Sequence, residues 1–528
     1  MEGLKILGGK TMSKNDKKKK LTLLDRVEKV GNALPHPATI FLILCAVIVV
    51  LSAILSATGL SVTYEGINRT NGNAVEQMTV TVNSLLSKEG VQYLFKSAVT
   101  NFTGFAPLGT VLVALLGVGL AEGTGLISAL LKKLVMSTPK RLITVVIVLA
   151  GVLSSIASDA GYVVLIPLGA IIFLSVGRHP LAGLAAAFAG VSGGFSANIM
   201  VGPTDSLLGG LTTEGAKLAD PNYVVGIQAN WWFLIASTFL ITIIGTIVTE
   251  KIVEPRLGKY TGDATVENDV MTVSNEEKRG LRFAGIATLL TVAGLATLIV
   301  PQNGFLRGAD GGVLSSPFMD SMVLIIALVF AIAGVAYGFG AKVVKNDKDV
   351  MNLMGKSMAS MGSYIVLVFF AAQFVAYFNY SNLGTIIAVK GADMLTAIGL
   401  QGIPLVILFI LVVAFINIFM GSASAKWAIL APVFVPMLMK VGFTPEFTQM
   451  AYRIGDSTTN LISPLMSYFA LIVTFAANYD KKSGIGTLIS TMVPYSVFLL
   501  IGWTGLLIFW FVFNLPLGPG IGIWLPGF

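Results

Sequence analysis

The chain has 528 residues, 55% of them hydrophobic and only 12% charged, with a mean hydropathy of +0.83. A soluble domain carries about 25% charged residues, so the composition excludes an ordinary soluble enzyme. The net charge of +8 reads as loop charge that sets membrane topology, not as a surface for nucleic acid, and the single cysteine, Cys45, excludes a disulfide within the chain.

In chain order, residues 1–30 form a basic cytoplasmic tail that ends in an interfacial helix at Leu21–Val30. The apolar run Ala38–Leu60 is too long for the core of a signal peptide and is read as an uncleaved first helix. Spanning helices are expected at about 38–58, 104–131, 181–212, 231–250, 282–300, 319–340, 357–379, 446–478 and 486–513. Each is long enough for a hydrocarbon core of about 30 Å. Residues 59–100 are polar, with Val/Thr alternation near Thr79–Val82. Two apolar stretches differ from the rest. The segment 142–177 is interrupted by Ser154–Gly161, and 403–441 by Gly421–Lys426. If both enter and leave by one side, 26 Lys/Arg fall inside and 7 outside, a strong positive-inside bias. The expected architecture is an all-α polytopic membrane protein with nine transmembrane helices and two re-entrant hairpins. Residues 31–528 make one transporter domain, with the N-terminus cytoplasmic and the C-terminus external.

An internal repeat supports this reading. A shift of 265 aligns Pro167 with Pro432 and Val176–Pro180 with Val441–Pro445, and gives nine identities in the 34 positions 159–192. Tyr162 meets Trp427 in this frame, and Asp159 meets Ser424. Hairpin 142–177 with helix 181–212 is thus one copy, and hairpin 403–441 with helix 446–478 the other. An odd number of spans between them inverts the second copy. Inverted repeats with broken helices are the architecture of secondary transporters, with the site at mid-membrane.

Polar residues inside these segments are functional candidates, because polar groups in hydrocarbon cost free energy unless they are paired or face a wet cavity. Asp159 sits at the first hairpin tip, as an ion ligand or a helix cap. Asp205 lies late in its helix. Arg453 and Asp456 are one helical turn apart and can pair on one face, or Arg453 can bind a substrate carboxylate. Trp427 can stack on an aromatic substrate or serve as packing, and Lys426 beside it can snorkel. Asn198 and Asn417 suit ion ligation or helix–helix hydrogen bonding. Runs such as Gly190–Asp205 and Gly455–Pro464 carry glycines and a proline that unwind helices and free carbonyls for a hard cation.

These residues sit in motifs that resemble the AbgT family, the p-aminobenzoyl-glutamate transporters. The motifs are GNALPHP (Gly31–Pro37), NFTGFAPLGT (Asn101–Thr110), GRHPLAGLAAAFAGVSGGFSAN (Gly177–Asn198), KIVEPRLG (Lys251–Gly258), GSASAKWAILAPVFVPM (Gly421–Met437) and YRIGDSTTN (Tyr452–Asn460). The resemblance covers nearly the whole chain. It implies a dimer in the bacterial inner membrane, a bowl open to the cytoplasm, nine helices and two hairpins. It also implies import of p-aminobenzoyl-glutamate, efflux of sulfonamide antimetabolites, or both. The residues it implicates are Asp205, Asn417, Ser424, Trp427, Pro445, Arg453, Asp456 and Pro464. Substrate binding is accordingly expected at Asn417, Ser424, Trp427, Pro445, Arg453 and Pro464. Ion coupling is expected at Asp205, Asp456, Asp159, Asn198 and Asn460, with Na⁺ or H⁺ as coupling ion and no other cofactor. A carrier for another organic anion, such as a dicarboxylate, is the alternative. No Walker loop and no His–Glu metal motif points to a pump or an enzyme.

Overall fold

The structure is a computed structural model that describes residues 35–68, 74–157, 161–262, 273–309, 311–313, 316–466, 468–481 and 483–526. The basic tail and Asp159 lie outside the described residues. Apolar backbone in lipid must satisfy its own hydrogen bonds, so apolar runs here become helices. Among the described residues, seven of them are long and apolar enough to cross a membrane, including Pro37–Ala57, Trp231–Leu257, Asn275–Ile299 and Ile485–Val512.

The single helix expected at 104–131 is instead a bent pair, Pro107–Gly123 and Leu126–Met136, meeting at 59°. Gly125 makes the corner with φ 87°, a conformation open to glycine. The polar stretch after the first helix folds into a hairpin of strands β1 (Ser61–Asn68) and β2 (Ala74–Thr81), with Thr63 opposite Thr79. The expected helix 357–379 is preceded by a separate helix, Asp347–Ser360, and followed by another, Leu383–Ala397. Neither was legible as a helix, the first because it is too polar to stand out.

The two interrupted stretches have the same build. In the first, α1 (Ile143–Leu153) leads to the tip, and a π-helical turn at Gly161–Leu165 opens α2 (Ile166–Ser175). The chain turns back into α3 (Pro180–Phe188), which continues as a π-helical turn to Gly193, unwinds, and resumes as α4 (Pro203–Ala216). In the second, α5 (Gly402–Asn417) and α6 (Ala423–Lys440) form the arms. They are followed by α7 (Pro445–Asn460), a break, and α8 (Phe469–Ala477). Several boundaries recur at the 265-residue shift. α2 ends at Ser175 and α6 at Lys440, while α3 begins at Pro180 and α7 at Pro445. The turns between them pass through Gly177 and Gly442, both with positive φ.

Packing repeats as well. α3 lies against both α1 and α2, and α7 against both α5 and α6. Gly190 allows its helix to touch the backbone of α1 at Val148, and Gly455 does the same at Ile410 of α5. Small residues are what lets helices approach closely where no hydrophobic effect drives them together. The first turn is further tied down by Arg178. It donates to Thr144 at 2.7 Å and forms an ion pair with Glu254. Burial lowers the pKa of the neighbouring His179, outweighing Glu254 and Asp480. A neutral ring keeps Nδ1 able to accept the Leu181 N–H. Outside this unit, Asn275–Ile299 packs against Met322–Gly340 and turns Ile286, Leu289 and Leu290 outward, as a lipid-facing surface requires.

Candidate substrate and ion site

The broken helices put their interruptions beside the ends of α1 and α5: Ser155 donates to the Ala197 carbonyl and Ser463 to the Ile418 carbonyl. α4 begins at Pro203 with Asp205 in its first turn. Asp205 Oδ2 accepts the Gly202 N–H at 2.7 Å, and Oδ1 lies 2.7 Å from Arg453 Nη1. A carboxylate is favourable at a helix N-terminus, so Asp205 is held by the helix end on one side and a guanidinium on the other. Both side chains are buried, with exposures of 7% and 2%.

This corrects the expected partner of Arg453. Arg453 and Asp456 share α7 but do not pair. Arg453 points to α4 of the first repeat, and Asp456 points to the second hairpin tip, where Oδ1 meets Lys426 Nζ at 2.6 Å. Lys426 does not snorkel. It is fully buried, and Nζ also donates to Asn417 Oδ1 and to the Met420 carbonyl at 3.2 Å. Each of the two buried cations thus has a buried carboxylate from another element as its partner. A pair within α7 would leave Lys426 and Asp205 uncompensated, at a cost of several kcal/mol each.

Asn417, the last residue of α5, anchors the tip. Its Nδ2 reaches the Asp456 carbonyl (2.6 Å), Thr459 Oγ1 (2.9 Å) and Asn460 Oδ1 (2.9 Å). Asn417, Asn460, Asp456 and Lys426 thus form one cluster. Ser424 lies at its more open edge, 3.4 Å from the exposed Ser422 hydroxyl. Trp427 is fully enclosed. It stacks on Tyr452 at 4.3 Å and donates from Nε1 to Thr212 Oγ1 at 2.9 Å. Gln449 donates to the same hydroxyl at 2.7 Å. In this conformation Trp427 therefore belongs to the packing between α4, α6 and α7.

Asn198, in the first break, donates to Ser155 Oγ at 2.7 Å and accepts from the N–H groups of Ile199 and Met200. With Ser155, Ser196, Asp205 and Arg453 it lines a polar cavity of ≈ 10 Å³, the size of about one water. Pro464 lies in the second break, just beyond Asn460. Pro445 opens α7, eight positions before Arg453 and so about 12 Å away along the axis. It is not brought to the charges. Arg453 Nε, Asp456 Oδ2 and the hydroxyls of Ser192, Ser196, Ser206 and Ser457 are buried without a protein partner. Such atoms are rare in finished cores, and six of the eight among the described residues lie on α4, on α7 or in the segment 192–196 between α3 and α4.

Sequence reasoning missed Thr212, Gln449 and Tyr452. Gln449, Tyr452, Arg453 and Asp456 occupy neighbouring turns of α7, and that spacing was the available signal.

Comparison with known proteins agrees with this architecture. The model of the AbgT putative transporter family matches residues 22–525. The chain is 41% identical over 496 residues to the p-aminobenzoyl-glutamate transport protein of Escherichia coli K12, covering 94% of this chain and 96% of that one. The YdaH transporter of Alcanivorax borkumensis superposes with a TM-score of 0.87 at 48% identity, over 92% of this chain and all of that one. MtrF of Neisseria gonorrhoeae, described among antimetabolite efflux pumps, superposes with 0.89 at 51% identity, over 95% of this chain and all of its own.

Proposed function

Because this chain belongs to the AbgT family of membrane transporters, we propose that it is a secondary-active, ion-coupled carrier of p-aminobenzoyl-glutamate. Export of sulfonamide antimetabolites by the same site is part of the proposal. It rests on the relatives' named substrates and on one feature of the site, the buried bond between Asp205 of the first repeat and Arg453 of the second. A charge pair that joins two repeats at their broken helices is where a substrate carboxylate or a cation can exchange for an internal partner.

Arg453 takes a glutamate carboxylate, Trp427 faces the aromatic ring once the site opens, Asn417, Ser424 and Pro464 shape the rest, and Pro445 acts from a distance by fixing where α7 starts. Asp205 and Asp456 carry the ion-dependent step for Na⁺ or H⁺, with Asp159, Asn198 and Asn460 as supporting donors. The protein works as a homodimer in the bacterial inner membrane. Lys133 and Lys345 face the cytoplasm, while Lys217 and Arg307 face outside. Single-cysteine labelling in a Cys45→Ala background checks this orientation, and external labelling at position 133 would overturn the first re-entrant hairpin.

The transport test uses purified protein in proteoliposomes with labelled p-aminobenzoyl-glutamate and an imposed Na⁺ or H⁺ gradient. Uptake above equilibrium that collapses with the matching ionophore is expected. Uptake that ignores both gradients would refute ion coupling.

A further inference from the structure

The ammonium of Lys426 is held as a bound cation would be. Nζ lies 2.6 Å from Asp456 Oδ1 and 3.2 Å from the Met420 carbonyl, and it donates to Asn417 Oδ1. A carboxylate, an amide oxygen and a main-chain carbonyl at a hairpin tip are the donor set of a hard cation. The set is preorganised. The amide Nδ2 of Asn417 is fixed by three acceptors on and beyond Asp456, which turns Oδ1 toward Nζ. Asp456 Oδ2 is buried without a partner and is a spare ligand. The first repeat has nothing equivalent, since Lys426, Asp456 and Asn417 correspond there to Gly161, Val191 and Val152.

We propose that Lys426 is a tethered cation, whose ammonium fills a monovalent-cation site at the second hairpin tip and keeps free Na⁺ from binding there. This rests on the reading of Asp456 as part of the ion-dependent step and narrows the coupling ion there to H⁺, because the metal-ion position beside that carboxylate is taken by a cation of the chain. Removing the ammonium while leaving the oxygens would convert the place into a site for a free ion.

The test is thermal unfolding of the full-length protein in detergent, with NaCl titrated against choline chloride at constant ionic strength. Lys426→Ala is expected to gain a saturable Na⁺-dependent rise in Tm of more than about 2 °C beyond the response of the unsubstituted protein. Methylammonium chloride should substitute for NaCl. The Lys426→Ala/Asp456→Asn protein should lose the gain, because the ligand charge is gone. The proposal is overturned if Lys426→Ala responds to Na⁺ no more than the unsubstituted protein. It is also overturned if the double variant responds as strongly as the single one, or if Lys426→Ala fails to fold with all three cations. The readout is unfolding, so a negative result leaves gradient-driven transport standing, and a failure of that transport leaves this result readable.

Discussion

The two repeats share a scaffold and differ in charge. α1 to α3 and α5 to α7 have corresponding turns, corresponding proline starts and corresponding glycine contacts. Yet Arg453, Asp456 and Lys426 of the second repeat stand where the first has Phe188, Val191 and Gly161. Conversely, Asp205 of the first corresponds to Ala470. The geometry is therefore duplicated, while the chemistry is divided. The second repeat holds both cations of the two ion pairs and the carboxylate of one, Asp456, and the first supplies Asp205, the carboxylate of the other. A site made this way is whole only when the repeats are together, which suits a carrier whose halves move against each other.

The largest effect expected from this asymmetry is at Arg453. Arg453→Met leaves Asp205 buried without its cation and should cost about 3–5 kcal/mol, read as a lower Tm. Adding Asp205→Asn should return most of the loss. The corresponding change in the first repeat, Phe188→Met, is an apolar swap and should cost less than about 1.5 kcal/mol. Similar losses at the two positions would show that the division of charge is not what matters.

The shared scaffold predicts equality instead. A Cβ added at Gly190 or at Gly455 would collide with a main-chain carbonyl, of Val148 or of Ile410. Each alanine substitution should cost about 1–3 kcal/mol. Tolerance of one but not the other would break the equivalence.

A smaller effect is expected at Trp427→Phe, which keeps a stacking ring but removes the N–H bonded to Thr212. Stability should fall by about 1 kcal/mol, whereas Trp427→Ala, which removes the ring, should lower p-aminobenzoyl-glutamate affinity by up to about tenfold. Unchanged affinity in a monodisperse sample would leave Trp427 with packing alone. The smallest contrast lies at the helix starts. Thr444 caps α7 and His179 caps α3. Thr444→Ala should lower stability by about 0.5–2 kcal/mol, with His179→Ala no more costly.

The interruptions in the two apolar stretches and the breaks in the helices after them were legible because polar and glycine residues interrupt runs that lipid otherwise demands be apolar. The family motifs were legible for the same reason. Charge pairing was not. Arg453 and Asp456 lie three positions apart along α7, and sequence spacing makes them neighbours. It cannot say that α4 and the second hairpin tip approach that helix from different sides. Lys426 was misread because distance along the chain hides depth. The 26 inside and 7 outside basic residues leave two of the 35, Lys426 and Arg453, and these are the pair buried with the carboxylates. The bend at Gly125 depends on a single left-handed residue within an apolar run, which hydrophobicity does not register.

The central claim is that the buried carboxylates couple ion movement to substrate movement. Its most direct measurement compares Asp205→Asn and Asp456→Asn with the unsubstituted protein in proteoliposomes, scoring gradient-driven uptake and substrate exchange side by side. Gradient-driven uptake should be abolished in both variants while exchange partly survives. Full gradient-driven uptake in both would contradict the account.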